Sequence, residues 1–155
     1  MAPLIRLKVD AADFDPGAEI AALGDGRDGV GAIASFVGLV RGATDGVTAM
    51  TLEHYPGMTE RQIAAIIDDC AGRWRLDGVT VLHRVGRLLP GERIVFVGVS
   101  AQHRGDALSA CGFLIDWLKT RAPFWKLEET ASGERWVEAR QEDDARAQAW
   151  DQHKP

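Results

Sequence analysis

Residues 79–85 and 93–100 are two β-rich runs flanking Leu89-Pro90-Gly91-Glu92, and this arrangement constrains the fold more than any other stretch of the chain. Proline followed by glycine suits the central positions of a type II turn, since proline presets the first backbone angle and glycine accepts the positive φ of the second. Strands joined this tightly run antiparallel, because a parallel pair needs a long crossover. The two runs are therefore predicted to pair with each other.

The neighbouring segments extend the pattern. Asp106 is a candidate N-cap for a helix through Arg121, with Leu108, Cys111, Ile115 and Leu118 on one stripe and Pro123 stopping it after Ala122. Thr59 and Gln62 have capping-box spacing, and Ile63, Ile66, Cys70 and Trp74 recur at helical intervals, so 59–74 is predicted to be a second amphipathic helix. Nearer the start, Ile5, Leu7 and Val9 alternate as in a strand, and Asp15-Pro16 opens a short helix to about Leu23. Residues 30–41 form a mostly apolar run, 42–46 (GATDG) a turn, and 47–55 a strand expected to pair back as a β-hairpin. Residues 124–130 and 135–140 form another predicted hairpin around Ala131-Ser132-Gly133-Glu134, and the charged tail from 141 is expected to be an exposed helix. With 155 residues, 46% of them hydrophobic, and no repeat or linker, the chain is expected to be one α+β domain, residues 1–155, with mainly antiparallel sheet.

Composition excludes several classes of function. A formal net charge of -5 argues against nucleic acid or an anionic membrane as the main partner. No apolar run approaches the roughly 18 residues of a membrane span, and a cytoplasmic protein is expected. Cys70 and Cys111 lie far apart within apolar helical patterns and are read as small buried hydrophobes. His54, His83, His103 and His153 show no metal-ligand spacing with one another or with the cysteines, so neither a metal nor another cofactor is expected. GxSxG and P-loop signatures are absent, and the five tryptophans are read as core and interface mass.

Two pairs of cations remain. His103 and Arg104 stand between a strand and a helix start, where unpaired N–H groups and a partial positive charge favour an anion; a solvated loop pair is the alternative. The chain has four lysines, at 8, 119, 126 and 154, against fourteen arginines, so it ordinarily uses arginine as its surface cation. Lys119 and Lys126 flank the helix stop, and the intervening Pro123-Phe124-Trp125 can fold both amines towards one cleft, Phe124 and Trp125 supplying its walls. An amine can lose its proton and act as base, donor or nucleophile, which a guanidinium cannot. Chance placement is the alternative for so small a number of lysines.

Taken together, LEHYPGMTE at 52–60, HRVGRLLPGE at 83–92, VFVGVS at 95–100, His103-Arg104, KTRAPFWK at 119–126 and RWVEAR at 135–140 resemble the molybdopterin synthase catalytic subunit family, over roughly residues 30–140. The resemblance implies an α/β hammerhead-type fold and a homodimer, with a small ubiquitin-like sulfur-carrier subunit at each end to make a heterotetramer. The carrier's Gly-Gly tail, ending in a thiocarboxylate, enters the active-site pocket. It implies Lys119 as the central catalytic residue, assisted by Lys126. Arg41, His103, Arg104 and Arg140 are the implied binding surround for a phosphorylated pterin, cyclic pyranopterin monophosphate, with the dimer mate supplying part of each pocket. Gln102, where a small residue is usual, and Leu108, where phenylalanine is frequent, depart from the family pattern. Two rivals stand beside this reading. One is a non-catalytic α+β module that holds a phosphorylated ligand or a partner tail; the other is a persulfide transferase, which needs an exposed reactive cysteine.

Overall fold

The computed structural model describes residues 2–42, 46–137 and 141–152, with the side chains of Gln141 and Glu142 left aside. In chain order the elements are β1 (Leu4–Asp10), α1 (Pro16–Gly24), β2 (Ala32–Leu39), β3 (Val47–His54), α2 (Met58–Arg73) and β4 (Gly78–Arg84), then β5 (Gly86–Leu88), β6 (Arg93–Ala101), α3 (Arg104–Arg121), β7 (Phe124–Thr130), β8 (Gly133–Val137) and α4 (Gln141–Gln152). The strands make two four-stranded sheets, ordered β1-β4-β6-β2 and β5-β3-β7-β8. Only the β1–β4 pairing is parallel, so the α+β, mainly antiparallel expectation holds.

The proline–glycine turn forms as expected. Gly91 has φ 88°, the Glu92 N–H donates to the Leu89 carbonyl at 3.0 Å, and β4 pairs antiparallel with β6. Both faces of this sheet are covered. Val79 and Val81 of β4 and Val95, Val97 and Val99 of β6 face α2 and α3, whereas Leu82 and Phe96, one residue out of phase, pack with Leu23 of α1. Burial on both faces explains why β4 and β6 read as near-continuous apolar runs rather than alternating ones.

The predicted hairpin of 30–41 with 47–55 does not form. β2 pairs with β6 in the first sheet, while β3 pairs with β5 and β7 in the second. The chain leaves the first sheet at Val40, whose N–H donates to the Glu92 carbonyl and whose carbonyl accepts from Gly91. Gly42 lies so close to Pro90 that an added Cβ would stand 2.5 Å from the proline ring. The backbone can therefore turn tightly here only without a side chain, and it emerges in a different sheet.

Helix ends follow local chemistry with two corrections. Asp15 caps α1 as expected, its carboxylate accepting from the Gly17 and Ala18 N–H groups. In α2 the cap is Gly57, whose N–H donates to Glu60, rather than Thr59. The Thr59 hydroxyl instead accepts from the Tyr55 N–H at 3.0 Å and donates to the Pro123 carbonyl at 3.1 Å. In α3 the cap is His103, not Asp106, which lies in the first turn. The buried stripe of α3 is likewise rotated from the predicted one. Ala107, Ala110, Cys111, Phe113, Leu114 and Leu118 are buried, whereas Leu108 is 66% exposed. The 124–130 hairpin forms with β8 at Gly133–Val137. The helix from 141 also forms, but one side of it is packed: Ala147 is buried, and Trp150 sits edge-on to Trp74 and Phe113 while its Nε1 donates to Asp116 at 2.7 Å.

Candidate active site

The last turn of α3 carries Lys119, and Ala122 ends the helix in an extended conformation ahead of Pro123, as the residue before a proline prefers. The corner is tied from two sides, by the Phe124 N–H donating to the Ala122 carbonyl at 3.0 Å and by the Thr59 hydroxyl on the Pro123 carbonyl. β7 then runs antiparallel to β3, with Phe124 opposite His54 and Lys126 opposite Leu52. Side chains alternate along a strand, so Phe124 and Lys126 share one face of β7. Trp125 occupies the other, edge-on to Tyr55 with ring centroids 4.3 Å apart.

This corner brings the two lysines together. Lys119 and Lys126 line one cleft of about 110 Å³, whose apolar walls include Phe36, Leu39, Ile94, Ile115 and Phe124. Gly38 also lines it, at a position where an added Cβ would stand 2.8 Å from a Val95 methyl group. Of the two aromatic residues expected as walls, Phe124 lines the cleft and Trp125 does not.

Sequence reasoning missed His83, which also lines the cleft. It is 9% exposed and stacks on Phe124, with centroids 3.8 Å apart and planes 15° from parallel. Its Nδ1 lies 2.9 Å from the Arg84 carbonyl; a carbonyl only accepts, so Nδ1 carries the proton and donates. Burial, reinforced by the positive charges of Lys126 and Lys119, pushes its pKa down to about 3, so the ring is neutral near pH 7. A signal was present in the sequence: His83 falls in phase with Val79 and Val81, on the face of β4 turned towards α3.

The expected anion-binding residues stand elsewhere. His103 and Arg104 are exposed at the opposite end of α3, and no side chain caps that end. Fifteen residues of helix separate Arg104 from Lys119, roughly 22 Å at the usual rise per residue. Arg41 is exposed just beyond β2, two residues after Leu39, and is not among the lining residues. Arg140 lies outside the described residues. Among the described residues, one chain thus brings together the lysine pair but not Arg41, His103 and Arg104.

Neither cysteine offers a thiolate. Cys70 and Cys111 are buried, and burial pushes their thiols up to about 12 and about 11. Among the described residues no group of three or more His, Cys, Asp or Glu side chains is placed to hold a metal, and no helix is long and apolar enough to cross a membrane.

Comparison with known proteins places this geometry. Residues 9–121, which include the helix bearing Lys119, match the MoaE protein family. Two relatives named molybdopterin synthase catalytic subunit are those of Ralstonia nicotianae and Escherichia coli K12. The first is 53% identical over 93% of this chain and 83% of its own length; the second is 50% identical over 94% and 97%. The molybdopterin biosynthesis MoaE protein of Burkholderia ambifaria superposes with a TM-score of 0.82 at 50% identity, over 96% of this chain and 99% of its own. Molybdopterin synthase from Staphylococcus aureus superposes at 0.77 and 28% identity, over 84% and 95%. Matched over most of its length both in sequence and in the two-sheet fold that builds the lysine cleft, the chain belongs to the MoaE family, that of the molybdopterin synthase catalytic subunits.

Proposed function

We propose that this chain is the sulfur-transferring subunit of a cytoplasmic molybdopterin synthase. In that reaction the C-terminal thiocarboxylate of a small ubiquitin-like carrier gives its sulfur to cyclic pyranopterin monophosphate, and two such transfers build the dithiolene. The observation that carries the reading is the convergence of Lys119 from α3 and Lys126 from β7 on one narrow, largely apolar cleft. Apolar walls suit an extended Gly-Gly tail, which has no side chains of its own to place. They also lower the local dielectric, so that each ammonium acts more strongly on an anionic sulfur than it would in water.

In this mechanism Lys126 attracts and orients the thiocarboxylate. The sulfur attacks a carbon of the pterin, a C–S bond forming as a C–O bond at that carbon breaks and its electron pair leaves on the oxygen, so that a thioester links carrier to substrate. Water cleaves that acyl–sulfur bond, leaving the sulfur on the pterin as a thiolate and the carrier as a carboxylate, and Lys119, as an amine, assists by accepting the water's proton or by transiently capturing the acyl group before water releases it. Arg41, His103, Arg104 and Arg140 hold the substrate phosphate, the uncapped N–H groups of α3 adding a partial positive charge. Because Arg104 and Lys119 stand at opposite ends of one helix, this assignment requires a homodimer in which the anion residues of one copy complete the cleft of the other. Two carriers then dock on the dimer and exchange after each transfer.

The deciding experiment incubates the protein with a verified thiocarboxylated carrier and the pterin precursor, with mass spectrometry for the dithiolene product. Product formation is expected. Its absence returns the chain to the non-catalytic binding module, whereas the buried cysteines give a persulfide route no support.

A further inference from the structure

Three polar side chains line the cleft among the described residues: the two lysines, and His83, for which the proposed reaction has no task. The His83 ring is fixed on two sides. Its Nδ1 donates to the Arg84 carbonyl and its face lies on Phe124, so the ring cannot turn without breaking one contact or the other. With the proton on Nδ1, Nε2 holds the lone pair. Phe124 and Lys126 occupy the same face of β7, and Lys126 lines the same cleft as His83 and acts on its ring by charge, although no hydrogen bond joins the two side chains in this conformation. The positive groups felt by the ring are Lys126, then Lys119, then His54 of β3.

We propose that His83 is a positioning residue of this cleft: when the thiocarboxylate draws the Lys126 side chain inward, Nε2 accepts a hydrogen bond from its ammonium and thereby fixes where that charge stands relative to Lys119 and the sulfur. The inference rests on the sulfur-transfer reading above. Lysine carries a flexible four-carbon stem and loses much rotamer freedom when it acts from one place. A rigid neutral acceptor in the same cleft selects one of those positions once the thiocarboxylate has entered. A third cation would instead repel both amines, and the buried imidazole avoids that because it stays uncharged. Packing alone would be served equally by phenylalanine; the nitrogen acceptor separates the two accounts.

Two variants and one spectroscopic measurement test this on the intact protein, with thiocarboxylated carrier and pterin precursor as substrates. His83→Phe keeps the stack and removes the acceptor, whereas His83→Gln gives up the stack but can present a carbonyl oxygen near the position of Nε2. We expect kcat to fall about tenfold in His83→Phe, the loss expected for one hydrogen bond to a charged group, with KM for both substrates unchanged. His83→Gln should recover most of that loss. In 15N NMR with the thiocarboxylated carrier bound, the Nε2 resonance of His83 should differ between the parent protein and Lys126→Met, while Nδ1 stays protonated in both. Wild-type kcat in a folded His83→Phe overturns the proposal, as does an Nε2 resonance indifferent to Lys126→Met in a folded protein. Should His83→Phe fail to fold, the glutamine variant and the resonance decide. If the parent protein itself forms no product, the sulfur-transfer reading has failed, and the resonance still reports whether Lys126 and His83 are in contact.

Discussion

At its C-terminal end α3 delivers Lys119 into a cleft walled by Ile115, Phe124 and a stacked, neutral His83, whereas at its N-terminal end His103 and Arg104 stand exposed and no side chain caps the helix. The first end is finished within one chain. The corner after it is tied by Thr59 of α2, continued by β7 and packed on β4, so the positions of both lysines follow from the folding of a single copy. The second end has the residue types of an anion site on an exposed helix start. On the proposed reading the difference separates what the chain builds alone from what it leaves to a second copy: the amine chemistry would be internal and the phosphate binding shared. Each end can be challenged separately.

The largest effect is expected at the finished end. Lys119→Arg should fail almost as badly as Lys119→Ala, losing about 10²- to 10⁴-fold in single-turnover sulfur transfer, the usual range for a missing acid–base group. If Lys119 served only to attract an anion, a guanidinium would do so at least as well, because it offers two parallel donors. Near wild-type rates for Lys119→Arg, with carrier and pterin saturating, would reduce Lys119 to a positioning cation and remove the chemical difference between the two ends.

The next effect is on stability. The ordinary histidine pKa is near 6.5 and that of His83 is pushed down to about 3, so between these values the unfolded chain binds a proton at this site that the folded chain does not. Stability from this residue is therefore full above about pH 6.5 and falls as pH drops towards 3, by at most about 5 kcal/mol for a shift of this size. Asp13, whose carboxyl is held below its usual range by Arg93, contributes acid sensitivity in the same direction at lower pH. Denaturant midpoints taken from pH 7 to pH 4 should thus fall less steeply in His83→Phe than in the parent. Parallel slopes would mean that His83 is not buried neutral, and that the lysine cleft is more open than described.

The open end gives a smaller but sharper test. Arg104→Ala should fold normally and bind pterin about ten- to hundredfold more weakly, as for loss of a hydrogen bond to a charged group. If the pocket is shared, mixing Lys119→Ala and Arg104→Ala chains under exchanging conditions should restore up to about a quarter of wild-type sites, because half of the dimers are mixed and one of their two pockets is intact. Mixtures as inactive as their components would confine each pocket to one chain, which the roughly 22 Å length of helix between Arg104 and Lys119 makes hard to build.

Local chemistry in the sequence located most elements. Asp15-Pro16, Pro90-Gly91 and Pro123 each act on their own backbone, and the helix and turn they specify stand within a few residues of expectation. Partner choice between strands was not legible, since the hairpin that 42–46 suggested was overridden by Val40 bonding across to Gly91 and Glu92, some fifty residues away. The lysine pair was legible because a proline between two close residues is itself a folding instruction. His83 was not. Its role depends on strand phase together with a stack on Phe124, a contact between β4 and β7 that no run of adjacent residues encodes.

The mildest change separates the two lysines within the finished end. Lys126 is assigned a charge and a place rather than a proton, so Lys126→Arg should retain far more activity than Lys119→Arg. It should not retain all of it. The cleft is only about 110 Å³ and walled by Phe124, Ile115 and Leu39, so a planar guanidinium has to be fitted where a slender stem ran. If Nε2 of His83 holds the cation, a guanidinium N–H can still donate to it, and the orientation of the charge survives while its reach changes. The expected loss is therefore a few-fold, within roughly 1 kcal/mol of the barrier, and should lie in kcat more than in carrier KM. Lys126→Met, which keeps the stem and drops the charge, should do worse than arginine. An arginine variant as inactive as Lys119→Arg would show that both lysines act as amines, and the division of labour between them would have to be redrawn as a shared proton.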